Sequence, residues 1–478
     1  MTNFRGIYWE VERDTLIAIP LFIFMGIMLQ RSRIAEDLLV TMAQLFGPIP
    51  GGLGISVVFV GALLAATTGI VGATVVAMGL ISLPAMLRNN YSKPLATGTI
   101  CASGTLGQII PPSIVLIILA DQLASAADQA ASERKALYKE ATGEFSMPST
   151  LDIVSTSAGD MFLGAFVPGL VLVGLYMAYI LISALLRPGT APAVVYEGKL
   201  MTGAFLKKVL LALVPPLVLI FAVLGSIIGG IATVNQAGAI GAIGATIMAG
   251  YRLREGHKDA YHPAILSIVS LVMLFILTQV FSLNIRTINT GFDMIGVFLA
   301  MIAVGVFCVS IGWSFWRTFK IEETLNGVMV ESAKTTSMVF IILLGAAMLT
   351  AAFRGFGGEE IVKHFLTGLP GGFWSQFIVV MLVIFLLGFF LDFIEIAVVV
   401  VPIVSPILLA DPTANVTAVW LGVMIGLNIQ TSFLTPPFGF ALFYLRGVAS
   451  SAVKTLDIYK GVIPFILLQL LGLAIVGF

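Results

Sequence analysis

The sequence predicts an all-α polytopic membrane protein with inverted-topology repeats, two re-entrant helical hairpins and two discontinuous helices. Three observations predict it. First, 59% of the 478 residues are hydrophobic and only 10% are charged, against roughly 25% charged in a soluble globular protein; mean hydropathy is +1.06. Second, apolar stretches run for about 20 residues at a time, the length that crosses a hydrocarbon core, rather than alternating as in a membrane barrel. Third, each half holds a long interrupted apolar stretch followed by a Pro-Pro set among Gly, Ser and Thr, namely Pro111-Pro112 and Pro436-Pro437. The composition excludes a soluble enzyme and a disordered chain. Twenty-five basic residues balance twenty-five acidic ones, leaving no net field for nucleic acid. Cys101 and Cys308 lie in apolar stretches, so no disulfide framework or cysteine zinc site is available.

Taken in order, Met1 to Leu16 lack the basic n-region and short apolar core of a signal peptide, so Ile17–Gln30 reads as a true span that ends at Arg31-Ser32-Arg33. Ten crossings are centred near residues 23, 107, 173, 219, 244, 272, 302, 344, 430 and 468. The stretches 53–87 and 375–409 are too long for one helix and are interrupted at their middles, the first by Thr67-Thr68-Gly69 and Gly72-Ala73-Thr74, the second by Gly388, Asp392 and Glu395. Half of such a stretch, about 14–17 residues at 1.5 Å each, reaches only part way across. Both therefore read as re-entrant hairpins, the alternative being two closely spaced spans in each. The organisation expected is a span and loop over 1–50, a first hairpin and broken helix over 51–120, a polar outer insert over 121–158 that caps the surface or is partly disordered, further spans over 159–335, and a second hairpin and broken helix over 336–478. An amphipathic interfacial helix is expected at 314–332, with Trp316, Phe319, Leu325 and Met329 against Lys320, Glu322, Glu323 and Glu331.

The halves repeat. Gly51-Gly52, the first stretch, Gly104 to Ser113 and Asp160-Met161-Phe162 correspond in order to Gly371-Gly372, the second stretch, Thr431 to Gly439 and Asp457-Ile458-Tyr459. Basic residues in short loops mark the cytoplasmic side. Arg88 and Lys93 put the mouth of the first hairpin inside; Arg187, Lys207 and Lys208, and then Arg252, Arg254 and Lys258, put two later loops inside. The segment 121–158 carries six acids and three bases and is placed outside, as is Asp411-Pro412-Thr413. The seven crossings between the hairpins are odd in number, which inverts the second repeat, the architecture of an alternating-access carrier. The N-terminus is thereby placed outside, which fits a truncated start.

These residues resemble a known family. Ile19-Pro20-Leu21-Phe22-Ile23-Phe24-Met25-Gly26, Gly104-Thr105-Leu106-Gly107 with Pro111-Pro112-Ser113, and Leu434-Thr435-Pro436-Pro437-Phe438-Gly439 are similar to the large membrane subunit of tripartite ATP-independent periplasmic (TRAP) transporters, the DctM-like family. The resemblance covers about 15–252 and 320–478. It implies an elevator-type, sodium-driven importer in a bacterial inner membrane, working with a small membrane subunit and a soluble periplasmic binding protein that delivers a small, carboxylate-like organic anion. A stand-alone ion-coupled organic-anion carrier of similar fold is the alternative. Three departures stand out. The first tip, Thr68-Gly69-Ile70-Val71-Gly72-Ala73-Thr74, looks like the branch described for mannitol and chloroaromatic compounds. Val234-Asn235-Gln236-Ala237 replaces a usual Pro-Thr-Glu-Ala, and 263–313 looks like an insertion.

A hard cation such as sodium takes several oxygens, which carbonyls freed at helix breaks and nearby hydroxyls supply. One candidate ion site gathers Thr67, Thr68, Gly69 and Thr74 with Gly104, Thr105 and Gly107; the other gathers Asp392 and Glu395 with Thr431 and Thr435. Candidate substrate contacts are Thr68, Gly69, Ser113, Asn428, Thr435 and Gly439, near half-helix N-termini that point positive charge at an anion. An acid at membrane depth, Asp392, is costly and is read as a coupling residue, with Glu395 three residues on sharing its proton. Arg446 reads as a topology anchor. His257, His262 and His364 are placed in loops and form no catalytic set.

Overall fold

The computed structural model describes residues 14–144, 146–149, 152–194, 202–284, 291–411, 414 and 416–477. Among them, nine helices are long and apolar enough to cross a membrane, or ten if a bent pair at the start counts as one span. That pair is α1 (Ala18–Arg31) and α2 (Ile34–Phe46), which meet at 58°. Arg33 between them adopts φ 61°, the left-handed conformation that ends one helix and turns the chain into the next. The sequence reading placed 31–50 in a loop. It is helical because Ile34, Leu38, Leu39 and Met42 form one buried face, while Glu36 and Asp37 in the first turn complement the helix dipole.

The centre of the molecule is made by two interrupted helices. The first is α5 (Lys93–Thr105), a short 3₁₀ turn over Leu106–Gln108, the prolines, and then α6 (Ile114–Thr142). The second is α16 (Ala418–Leu434), the prolines, and then α17 (Phe440–Val448). Both Pro-Pro bonds are cis. Every residue of Leu95–Thr105 and of Leu421–Leu434 is buried, although Thr97, Thr99, Ser103, Asn428, Gln430 and Thr431 are polar. The lipid therefore never sees these hydroxyls and amides; other helices do.

Around this centre lie two helix pairs, α3 (Gly52–Thr68) with α4 (Val71–Arg88), and α14 (Gly372–Leu387) with α15 (Phe393–Ala410). The first pair opens beside the C-terminal end of α7 (Ala158–Leu186): Gly51 N donates to Ala191 O at 3.0 Å and Ser92 N to Thr190 O at 2.8 Å. The second opens at the other end of α7. There Arg134 of α6 donates to the carbonyls of Leu409, Ala410 and Asp411, and Lys135 of α6 faces Asp152, just ahead of α7. Twenty-nine residues at 1.5 Å, about 43 Å, separate the two mouths.

The halves hold each other. The second arm of each pair lies on the helix that follows the other half's break, α4 on α17 and α15 on α6. The first half's α5 crosses α18 (Thr455–Gly477) so closely that a Cβ on Gly98 would stand 2.0 Å from Gly461 O. The corresponding crossing puts Gly164 of α7 against Val419 of α16, where a Cβ would meet Cγ1 at 2.3 Å.

A second layer packs outside. It contains α1, α2, α8 (Gly203–Ile228), α9 (Val234–Arg252), α10 (His262–Val280), α11 (Gly291–Lys320), α12 (Thr324–Gly355) and α13 (Gly358–Thr367). Arg317, 2% exposed, clamps α11 to the turn before α10: Nη1 donates to Ala260 O at 2.7 Å, and Nη2 to Asp259 O at 2.8 Å and its Oδ2 at 3.1 Å. Burying this charge is tolerable because both terminal nitrogens are bonded and the guanidinium lies 4.9 Å from the Trp313 ring. The layers meet where Arg354 of α12 reaches Gln129 of α6 at 3.1 Å and Pro402 O at 3.3 Å, and where Lys363 of α13 pairs with Glu133 of α6. That pairing holds the Lys363 ammonium above its ordinary range.

Three sequence expectations are corrected here. The segment 314–332 is not one interfacial helix. It is the end of α11, a turn in which Glu322 and Glu323 both have positive φ, and the start of α12. The acids that look amphipathic on paper anchor that turn, with Glu322 on Arg33 and Glu331 on Arg31. The polar insert at 121–158 is helical as far as Thr142, continuing α6 beyond its apolar first part. His262 opens α10 and His364 lies inside α13, so of the three histidines only His257 sits in a turn.

Candidate functional site

Each break meets the tip of its own helix pair. At the first, the chain leaves α3 at Thr68 and turns at Gly69 with φ 61°. A Cβ there would lie 3.1 Å from Ile114 N and 3.3 Å from Ile114 Cβ, so only glycine lets this tip rest on the first residue after the break. Gly104 is pressed against Val75 and Gly61 against Ser103. At the second, a Cβ on Gly388 would stand 2.0 Å from Ser432 Oγ, so that tip rests on the residues just before the prolines. Phe389 and Phe390 then close on Phe438, with ring centroids 6.4 and 5.4 Å away. Tyr444 of α17 stands between the tips: its ring abuts Gly72, and Asp392 lies within electrostatic reach of its hydroxyl.

The expected residues divide accordingly. Gly69, Thr74, Gly104, Thr105 and Gly107 come together with Ser113 at the first tip and break. Thr74 Oγ1 donates to Ile70 O at 3.1 Å. The side chains of Thr67 and Thr68 lie outside the described residues. Ser113 is fully buried, and its hydroxyl spans the break to Gln108 O at 3.3 Å. At the second site, Thr431 and Thr435 donate to the carbonyls of Leu427 and Thr431, each at 2.8 Å. Gly439 folds back on the Phe433 carbonyl, where a Cβ would come within 2.6 Å. Asn428 donates to Met381 O at 2.7 Å and so ties α16 to the first arm, α14.

Asp392 and Glu395 have a local role that spacing alone did not suggest. Asp392 is the N-cap of α15: its Oδ1 accepts from Phe393 N at 2.8 Å, and Glu395 reaches back to accept from Asp392 N at 3.1 Å. This is a capping box, in which two carboxylates satisfy amides that lipid would leave bare. The side chains meet backbone amides here rather than each other.

A buried polar cluster joins the repeats. Gln430 of α16 and Gln469 of α18 both donate to Thr105 Oγ1, at 3.3 and 3.4 Å, while Thr105 donates to Ala102 O. Tyr176 of α7 faces the same two amides. The carbonyl oxygens of Gln430 and Gln469 and both polar atoms of Gln108 have no partner among the described residues. Thr105 and Gln430 each stand six residues before the first proline of their own break, so equivalent positions of the two repeats bond each other. Lone glutamines in apolar stretches gave no sequence signal; alignment of the two Pro-Pro breaks would have found Gln430. Among the described residues, no three His, Cys, Asp or Glu side chains gather as a metal site. The oxygens at the first tip and break are those of neutral carbonyls, hydroxyls and amides, whereas the second tip adds the carboxylates of Asp392 and Glu395.

The family model described as "Tripartite ATP-independent periplasmic transporter, DctM component" matches residues 4–132, 145–262 and 251–478. The chain belongs to this family. Its relatives are transport permeases rather than enzymes. A C4-dicarboxylate TRAP transporter large permease protein DctM of Vibrio cholerae is 27% identical over 468 residues, covering 97% of this chain and 83% of the relative. An isethionate TRAP transporter permease protein DctMQ of Oleidesulfovibrio alaskensis is 22% identical, covering 98% of this chain and 57% of the relative. Among solved structures, MtrF of Neisseria gonorrhoeae superposes with a TM-score of 0.51 at 13% identity over 99% of this chain and 82% of its own. That is a likeness of fold alone. The match to the DctM component covers both breaks and both helix pairs.

Proposed function

We propose that this chain is the large membrane subunit of a sodium-driven importer of a small organic anion, acting by an elevator movement in a bacterial inner membrane. The observation that carries the reading is the meeting of each hairpin tip with its own interrupted helix, from opposite ends of the molecule. Inverted repeats with discontinuous helices are the arrangement from which alternating access is built. Read as re-entrant, the two pairs bring their tips to the depth of the breaks, since the first tip touches Ile114 and the second Ser432. Thr74 and Thr105 with the carbonyls near Gly69, Gly104 and Gly107 would hold one cation; Thr431 and Thr435 with Asp392 would hold another. The substrate would sit between the tips beside Tyr444, facing the N-terminus of α17 past Gly439.

The relatives' names speak of C4-dicarboxylate and isethionate, which supports a small organic acid as cargo. The family description names a tripartite transporter, which supports a small membrane subunit and a periplasmic binding protein as partners. The test is uptake of labelled dicarboxylates and sulfonates by proteoliposomes holding both membrane subunits, with the binding protein added or withheld and a sodium gradient imposed or collapsed. Uptake that needs both supports the reading. Uptake indifferent to sodium removes the cation sites, and uptake without the binding protein turns the chain into a stand-alone carrier.

A further inference from the structure

Away from the breaks, on the outer layer, a cavity of about 200 Å³ opens between α2, α8 and the turn that follows α9. Its wall changes character along one side of α8. Lys207 and Lys208 stand near the helix start, Leu211 and Ala212 lie one turn further on, and Pro216 one turn beyond that. Steps of four residues keep all five on one face. The opposite wall holds Tyr251 and Tyr261, whose ring centroids are 5.3 Å apart, and Ile34.

Two acids also line the cavity, and both are engaged. Arg252 pairs with Asp37 at 3.0 Å and with Glu255. Lys207 and Lys208 are exposed and have no ion-pair partner among the described residues. The cavity thus presents two ammonium groups without an ion-pair partner and two tyrosines, beside an apolar strip in which Leu211 is exposed and Ala212 and Pro216 are buried. The charge rule assigns this end of the helices to the cytoplasmic surface.

We propose that this cavity binds the phosphate of an anionic phospholipid, with Lys207 and Lys208 on the head group and the upper acyl chain against Leu211 and Pro216. Basic pockets between helices at the cytoplasmic face suit such head groups, and lysine stems lie well along apolar walls while the ammonium stays at the interface. A free phosphate would satisfy the lysines alone and leave Leu211, 43% exposed, uncovered.

The test reads lipid retention and stability together. The purified full chain is equilibrated with mixed vesicles of phosphatidylglycerol and phosphatidylcholine in equal amounts, re-extracted, and its bound lipid counted by native mass spectrometry. The wild type is expected to retain phosphatidylglycerol preferentially. Lys207→Gln with Lys208→Gln is expected to lose that preference by about 5-fold for each lysine removed, and Lys207→Arg with Lys208→Arg to keep it. In parallel, thermal unfolding in detergent is followed with inorganic phosphate or with phosphatidylglycerol added. Stabilisation of the wild type by lipid, but not by phosphate, supports the lipid. Equal stabilisation by both, or equal lipid retention by wild type and the glutamine variant, overturns the proposal.

Discussion

The carboxylate that caps α15 is also the proposed coupling residue, and substitution separates the two roles. Asp392→Ala removes the cap and is expected to cost about 1 kcal/mol of stability, read as a lower thermal midpoint in detergent. Asp392→Asn caps nearly as well, so its midpoint should match the wild type. Sodium-dependent uptake by the asparagine variant then reports the charge alone, and is expected to fall with a weaker apparent sodium affinity. Unchanged uptake would leave Asp392 a cap and nothing more. Thr105 is the second position of this kind. Thr105→Val strips the acceptor from Gln430 and Gln469 where no water reaches. Leaving buried donors unpaired costs about 1–3 kcal/mol each. Thr105→Ser keeps the oxygen and should restore the midpoint; equal losses in both variants would show that the methyl group, not the hydroxyl, matters.

Whole helices, in turn, depend on close approach and on their ends. Gly98→Leu would drive a side chain into the Gly461 carbonyl at the α5–α18 crossing. Overpacking costs about 1–3 kcal/mol, sometimes more, so this variant is expected to lose its monodisperse peak in size-exclusion chromatography, while Gly174→Leu, which meets no atom within 4 Å, keeps it. Arg134→Gln removes a guanidinium from three terminal carbonyls of α15; hydrogen bonds from charged donors are worth about 1.5–3 kcal/mol, and protease sensitivity near Asp411 should rise. Elements were legible in the sequence where chemistry is local. A Pro-Pro set among Gly, Ser and Thr marks each break, whereas Pro215-Pro216, in a wholly apolar run, lies inside α8 without interrupting it. Elements were illegible where the decisive partner is remote: the loop expected after Gln30 is instead α2, whose Asp37 pairs with Arg252, more than two hundred residues away. The continuation of α6 past Gln122 was hidden in the same way, since Arg134 and Glu133 find their partners on α15 and α13. The candidate ion-site residues at the first break came from one segment and its tip, whereas Gln430, Gln469 and Tyr176 came from three others.

On the scale of the whole molecule, the proposed movement carries the central helices past the outer layer, and the contacts between the layers must yield. Gln129 and Arg354 bridge them at 3.1 Å. In a background in which Cys101 and Cys308 are replaced, Gln129→Cys with Arg354→Cys should cross-link under mild oxidation. Uptake is expected to stop while the bridge is intact and to return on reduction. Transport that continues through the cross-link would rule out relative motion of these layers. The ion pair of Glu133 with Lys363 is partly exposed and is worth about 0.2–1 kcal/mol, small enough to break in every cycle.

The crossing of α5 with α18 also bears on how the protein is made. The polar residues of Lys93–Thr105 are synthesised about 350 residues before Thr455–Gly477, the helix that covers them. Until then Thr105 has neither glutamine to bond, and the glycine seam at Gly98 has nothing to fill it. During insertion the first half therefore waits with its centre uncovered, and α18 acts as the closing stitch.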